Sequence, residues 1–159
     1  MMTFLPGRKH GGAVEGRLEL LDRLLQNVEH GRFERSLSGL TAVGALVTGA
    51  EIFLEHDRAS FGNKMMWLPV ALTPLAGAAG VGGVFSRRLA KTALPVVSAV
   101  LVANGLQGTY LHIRGIAQRP GGWRFARYNA EMGPPLFAPL LFAMVGGMGL
   151  LAAVLRREQ

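Results

Sequence analysis

Residues Met65 to Ser86 read MMWLPVALTPLAGAAGVGGVFS, an apolar run without a single Lys, Arg, Asp or Glu. Two further uncharged runs follow it, Thr92 to Ile113 and Met132 to Leu155. Each of the three is longer than twenty residues, which is enough for a helix to cross a hydrocarbon layer of about 30 Å. The sequence therefore predicts a polytopic membrane protein with α-helical spans.

A fourth span is predicted ahead of these three, although its uncharged run, Ser36 to Ala50, would form only about 22 Å of helix. To cross the membrane this helix must include Glu51, and an acid near mid-membrane opposes insertion by about 3 kcal/mol. We therefore expect the other helices to shield the first span. The last span carries no charge, so we expect it to face lipid over much of its surface. The predicted fold class is an all-α, integral membrane four-helix bundle with an N-terminal amphipathic interfacial helix.

The composition fits one membrane domain with a short tail. Half of the 159 residues are hydrophobic and only 17% are charged. Residues 1–35 form the predicted tail, in which apolar residues recur at helical spacing from Val14 to Val28 opposite charged ones. This pattern predicts an amphipathic helix that lies on the membrane or packs under the bundle. The transmembrane domain is 36–155, with predicted spans at about 36–56, 65–86, 90–113 and 134–155 and an outer loop at 114–133.

The basic residues predict the orientation of the chain. With four spans, eleven of the 17 Lys and Arg residues fall on the side of the termini, and the other six fall on the opposite side. The positive-inside rule then places both termini in the cytoplasm, and a bacterial inner membrane fits the short chain. We attribute the net charge of +7 to topology and to anionic lipid headgroups, not to nucleic acid. The lack of cysteine excludes disulfides, cysteine-ligated iron–sulfur clusters and covalent c-type haem.

Polar side chains in the first and third predicted spans fall at matching depths. On the first span Glu51 and Glu55 share a helical face with three small or hydroxyl residues, Thr41, Gly44 and Thr48. Ionisable residues inside a membrane indicate a functional site by default. The cluster predicted in the outer third of the bundle consists of Glu51, Glu55, His56, Asn104, Gln107 and His112, with Arg114 and Glu131 close above it.

Four interpretations of this cluster remain open. In the structural one, a protonated Glu51 bonds Gln107 or Asn104 and fixes helix register. In the second, His56 and His112 ligate haem b, and Arg114 or the loop arginines pair with its propionates. In the third, Glu51, Glu55, His56 and His112 bind a metal ion, although their spacing is not the Glu-x-x-His of di-iron bundles. In the fourth, a proton or cation path makes the protein a small ion or solute carrier that uses Glu51.

The outer loop alternates basic and aromatic residues, which are enriched at the cores of protein interfaces. No phosphate-binding loop, nucleophile elbow or zinc-protease motif is present, so an enzyme is not predicted. The first functional hypothesis is a non-catalytic subunit or anchor of a larger membrane complex, with membrane lipids and other subunits as partners. The residues predicted to dock a partner on the outer face are Arg119, Trp123, Arg124, Arg127 and Tyr128.

Overall fold

A computed structural model describes residues 31–156 and five isolated helical positions before them, at 16, 18, 19, 22 and 26. The amphipathic helix predicted for the tail therefore lies largely outside the described residues. The described part of the chain is 85% helical and contains no strand. Its elements are α1 (Arg32–Arg58), a 3-10 helix (Lys64–Met66), α2 (Trp67–Phe85), α3 (Arg87–Lys91), α4 (Ala93–Ala117), a second 3-10 helix (Gly122–Phe125), α5 (Ala126–Glu131) and α6 (Ala138–Leu155).

Four helical stretches of the described chain are long and apolar enough to cross a membrane. Large apolar side chains are exposed on each of them: Val47 is 65% exposed, Leu75 56%, Val96 65% and Val154 74%. Such a belt is stable when lipid covers it. The prediction of a multi-pass, all-α four-helix bundle is confirmed. The four stretches are Arg32–Arg58, Lys64–Phe85, Arg87–Ala117 and Ala138–Leu155.

The long helices form a ring in which α1 packs on α2, α2 on α4, α4 on α6, and α6 back on α1. Two hydrogen bonds tie one end of the ring together. Arg156 Nη1 donates to the Gly83 carbonyl oxygen at 3.0 Å, and Lys91 Nζ donates to the Ala153 carbonyl oxygen at 2.8 Å. We call this the terminal end of the bundle. The opposite, loop end carries residues 59–66 and 118–137.

Small residues allow the helices to approach closely. A Cβ atom on Gly80 would lie 2.7 Å from the Ala42 nitrogen, and one on Gly146 would lie 2.7 Å from the Ser98 carbonyl oxygen. Such contacts between backbones are typical of helix packing in lipid. Close packing leaves the last span more buried than the first: 44% of the residues in its most apolar stretch are buried, against 33% in the first span. This is the reverse of the expectation, because the glycines of α6 let both α1 and α4 close on it.

The loop end is more ordered than a simple loop over 114–133. The helix α4 continues to Ala117, and the connection then forms the second 3-10 helix and α5. Gly121 and Gly122 adopt positive φ angles of 79° and 50°, which glycine accepts without strain. The buried amide of Asn129 closes this turn, since its Nδ2 donates to the carbonyl oxygens of Pro120 at 3.2 Å and Gly122 at 2.8 Å.

The last helix begins later than predicted, at Ala138 instead of Pro134. Its first turn contains Pro139, which has no amide hydrogen to lose there. Pro134 and Pro135 precede the helix. The two prolines therefore shape the connection into α6, and the carbonyl group of Pro135 is available to another element.

Candidate functional site

A cavity of about 800 Å³ opens at the loop end of the bundle. Its two polar walls come from α1 and α4, and residues 63–69 and 132–142 complete its lining. The predicted polar residue Glu131 does not line the cavity; its Oε1 accepts a hydrogen bond from Arg127 Nε at 2.9 Å on α5. The other predicted residues all line it: Glu51, Glu55, His56, Asn104, Gln107, His112 and Arg114.

The rest of the cavity is largely apolar. Phe142 and Ile52 are 1% and 8% exposed, so they belong both to the core of the bundle and to the cavity lining. A concave site with an apolar lining and a few polar groups is typical of sites that bind small molecules. The other apolar lining residues are Ala59, Met65, Met66, Pro69, Leu111, Met132, Pro134, Pro135, Ala138 and Pro139.

On the α1 wall, the two acids have different surroundings. Glu55 forms an ion pair with Arg58 one turn later. Glu51 is exposed and makes no ion pair within the described chain. His56 lies beside them, with its Nδ1 buried and without a hydrogen bond to any described residue. This wall therefore offers an unpaired carboxyl group and an imidazole to the cavity.

On the α4 wall, His112 is held in place by the connection that leads into α6. Its Nδ1 lies 2.7 Å from the Pro135 carbonyl oxygen. A carbonyl oxygen can only accept a hydrogen bond, so Nδ1 must carry the proton. In the neutral ring, Nε2 is then an acceptor with a free lone pair. His112 therefore contributes an oriented acceptor atom to this wall.

The polar residues of the two walls line the cavity but do not bridge it with hydrogen bonds among the described residues. Among the described residues Glu51 makes no hydrogen bond to Asn104 or Gln107, which is the pairing that the structural interpretation expected. The hydroxyl groups of Thr41 and Thr48 on the same helix donate to the carbonyl oxygens of Leu37 at 2.8 Å and Gly44 at 2.7 Å. The threonine stripe is therefore engaged with its own helix.

The described residues contain no group of three or more His, Asp or Glu side chains that could hold a metal ion. The metal site predicted from Glu51, Glu55, His56 and His112 thus gains no support from the geometry. These four side chains share one cavity but do not converge on one point within it.

An aromatic cluster supports the α1 wall. The rings of Phe61 and Trp67 stack with centroids 3.9 Å apart, and Phe53 lies 5.7 Å from Phe61. The His56 ring contacts the same cluster, 6.1 Å from Phe61. Ser60 and Phe61 have φ angles of 53° and 45°, a conformation that costs energy in residues with a side chain. Aromatic stacking offsets this cost and fixes the connection beside His56.

The predicted docking residues lie on the surface of the loop end, the end of the bundle at which the cavity opens. Trp123 and Tyr128 are 53% and 61% exposed, Arg124 and Arg127 are exposed, and Arg119 is half-buried. A shallow depression of about 430 Å³ runs along 124–128 and Glu131. Basic and aromatic side chains are thus presented together, which suits contact with a protein or with lipid headgroups.

Three features of the cavity and of the turn beside it carry no signal in the sequence. The acceptor for His112 is a backbone carbonyl group, 23 residues further along the chain. Phe142 looks like any other apolar residue of the last span, and Asn129 resembles any loop asparagine. The polar residues could be found because they interrupt apolar runs at regular helical spacing.

Comparisons with protein-family models, with curated proteins and with solved structures find no match for this chain.

Proposed function

We propose that this protein is a small, non-catalytic membrane subunit that binds an amphipathic small molecule in the cavity at its loop end. The observation that carries the proposal is the cavity itself. Its volume of about 800 Å³ falls within the roughly 300–1,000 Å³ that is usual for ligand sites. Polar groups from two helices face an apolar lining, so a molecule with a polar head and an apolar body would satisfy both.

The subunit part of the proposal rests on the surface beside the cavity. Trp123, Arg124 and Tyr128 are exposed at the same end of the bundle, and Trp, Tyr and Arg are the residues that most often dominate binding energy at interfaces. A partner docked there would lie next to bound ligand. We also propose that the membrane is the cytoplasmic membrane of a bacterium, with both termini in the cytoplasm, because of the excess of basic residues on that side.

Ligand retention tests the binding part. The tagged protein would be purified in mild detergent and its bound small molecules extracted and identified by mass spectrometry. Asn104→Trp should empty the cavity, because Asn104 lines it and an indole would fill the space. Ala103→Trp is the matched control, because Ala103 is exposed on the same helix and does not line the cavity. Equal ligand content in both variants would contradict the proposal.

Co-purification from native membranes tests the subunit part. A stoichiometric partner should accompany the unmodified chain and be lost from a variant with Arg124→Glu and Tyr128→Ala. A variant with Val96→Ala, on the exposed apolar face of α4, serves as the control and should keep the partner. Recovery of the unmodified chain alone would sink the subunit part while leaving ligand binding to its own test.

A second candidate function is haem b binding by an electron-transfer subunit. The hydrogen bond from His112 Nδ1 to the Pro135 carbonyl oxygen favours it, since metal-ligating histidines usually donate their other ring nitrogen in this way. His56, the other proposed axial ligand, lines the same cavity. A reduced-minus-oxidised absorption spectrum of the purified protein is the test. Bands of a b-type haem that disappear in His112→Leu would support this function.

A further inference from the structure

The oriented acceptor on His112 and the unpaired acid across the cavity point to the chemistry of the ligand. From this geometry we infer that the cavity binds the head of a membrane quinol, a neutral para-hydroquinone with an apolar tail. One quinol hydroxyl donates to His112 Nε2, and the other faces the α1 wall that carries Glu51. This inference rests on the proposed function, since it names the class of ligand that the cavity holds.

The hydrogen bond between His112 and Pro135 makes the second ring nitrogen of His112 the one that faces a ligand as an acceptor. Its Nδ1 proton is engaged by the Pro135 carbonyl oxygen at 2.7 Å, so the neutral ring can only accept at Nε2. An acceptor held in one orientation selects a ligand with a hydroxyl or another donor group. A quinone carbonyl or an ether oxygen, which can only accept, has no proton to offer this nitrogen.

The opposite wall of the cavity, on α1, carries the unpaired Glu51. Glu55 is occupied by Arg58, whereas Glu51 has no ion-pair partner in the described chain. A carboxyl group carries an acceptor oxygen in either protonation state. Acceptors therefore stand on both walls of the cavity. A molecule with hydroxyl groups at its two ends can donate to each of them.

The cations of the described lining are too few to bind a strongly anionic ligand, and one of them is already paired. Of the two arginines that line the cavity, Arg58 is paired with Glu55, and Arg114 is exposed on the last turns of α4. A phosphate group is normally recognised by several converging cations or backbone amides. The described lining has no such convergence of cations or backbone amides. A neutral head group fits this electrostatic setting better than a phospholipid head group does.

The apolar part of the lining suits a flat ring with an apolar tail. Phe142, Ile52 and Leu111 can contact a flat ring, and the volume of about 800 Å³ leaves space for the start of a tail. The amides of Asn104 and Gln107 both donate and accept, so they can adapt to ring substituents. A molecule that is flat, neutral, hydroxyl-bearing and soluble in lipid matches each part of the cavity.

Calorimetric titration in detergent micelles tests the inference with two matched probes. The first is a para-hydroquinone with a short alkyl tail, kept reduced; the second is its dimethyl ether, which has the same ring and tail but no hydroxyl hydrogen. We expect the hydroquinone to bind at least about tenfold more tightly than the ether, since one buried hydrogen bond is worth about that factor.

The variant His112→Leu separates recognition from simple packing. It should weaken hydroquinone binding about tenfold and leave ether binding unchanged. Tyr110→Phe is the control, because Tyr110 is exposed and does not line the cavity. Should His112→Leu disturb folding, the comparison of the two probes on the unmodified protein still decides the matter.

The outcomes separate this inference from the proposed function. Equal affinity for the two probes, an equal loss of both in His112→Leu, or retention of only phospholipid or haem would overturn the quinol inference while leaving a binding cavity in place. If neither probe binds and Asn104→Trp and Ala103→Trp retain the same molecules, the proposed function fails as well.

Discussion

His112 and Glu51 meet in one cavity for a reason that can be read at the level of single residues. Both interrupt apolar runs, and each lies at a depth set by the rise of about 1.5 Å per residue of a helix. Counting along the two spans predicts that Gln107 lies near the level of Glu51, and that His112 lies near the level of Glu55 and His56. The orientation of the His112 ring could not be predicted in this way, because it depends on the carbonyl group of a residue in another element.

The hydrogen bond to Pro135 predicts the tautomer of His112. We expect the ring to carry a proton on Nδ1, since the carbonyl oxygen of Pro135 accepts from that nitrogen at 2.7 Å. Nitrogen-15 NMR of histidine-labelled protein in micelles distinguishes the two ring nitrogens. His112→Gln would assign the signal among the four histidines of the chain. A ring protonated only at Nε2 would contradict the hydrogen bond and remove the basis for an oriented acceptor.

Asn129 is expected to hold the loop end together. Asn129→Ala removes the donors to the carbonyl oxygens of Pro120 and Gly122 and should lower the free energy of unfolding by about 2 kcal/mol, because two part-buried hydrogen bonds worth about 1 kcal/mol each are lost. Denaturant titration in micelles measures this change, and faster proteolysis within 118–125 should accompany it. Gln118→Ala, at an exposed position of the same connection, should change neither property.

At the scale of helices, the existence of the four spans followed from length and apolarity, whereas their relative burial did not. The helix α6 is apolar on every side, so its sequence does not indicate which face meets lipid and which meets protein. The positions of its glycines decide this, through contacts that only the assembled ring reveals. The start of α6 could not be predicted either. Prolines can begin a helix, which favoured a start at Pro134, but Pro134 and Pro135 both precede the helix.

Two adjacent glycines of α6 allow a matched test of helix packing. A Cβ on Gly146 would lie 2.7 Å from the Ser98 carbonyl oxygen and 2.9 Å from Leu101 Cβ, whereas one on Gly147 would meet nothing within 4 Å. We expect Gly146→Ala to destabilise the bundle by about 1–3 kcal/mol through overpacking. Gly147→Ala should be neutral or stabilising by up to about 1 kcal/mol, because alanine favours a helix.

Unfolding of the two variants in mixed micelles, at rising denaturing detergent, measures both values under the same conditions. Equal stability of Gly146→Ala and Gly147→Ala would mean that α4 leaves room for a methyl group at Gly146, contrary to the 2.7 Å between an added Cβ and the Ser98 carbonyl oxygen.

At the scale of the whole molecule, the charge asymmetry predicts which end faces the cytoplasm. The chain has no cysteine, so single cysteines can be introduced without removing others. Gly62→Cys lies at the loop end and Thr92→Cys at the terminal end, and neither substitution changes the charge. We expect a membrane-impermeant thiol reagent to label Gly62→Cys in intact cells, and Thr92→Cys only after permeabilisation, because basic residues favour the cytoplasmic side. The opposite pattern would reverse the proposed orientation.

The dense packing of the terminal half has a consequence for the traffic of any bound molecule. Beyond the cavity, three glycines pack so closely that an added Cβ atom would overlap a neighbour. Gly80 packs on Ala42, Gly146 on the Ser98 backbone and Gly149 on the Ser98 side chain. A solute could pass between the helices to the terminal end only if these contacts separated. Under the proposed function, the bound molecule would enter and leave at the loop end, where the cavity opens, and a partner docked on 119–128 would lie at that same end.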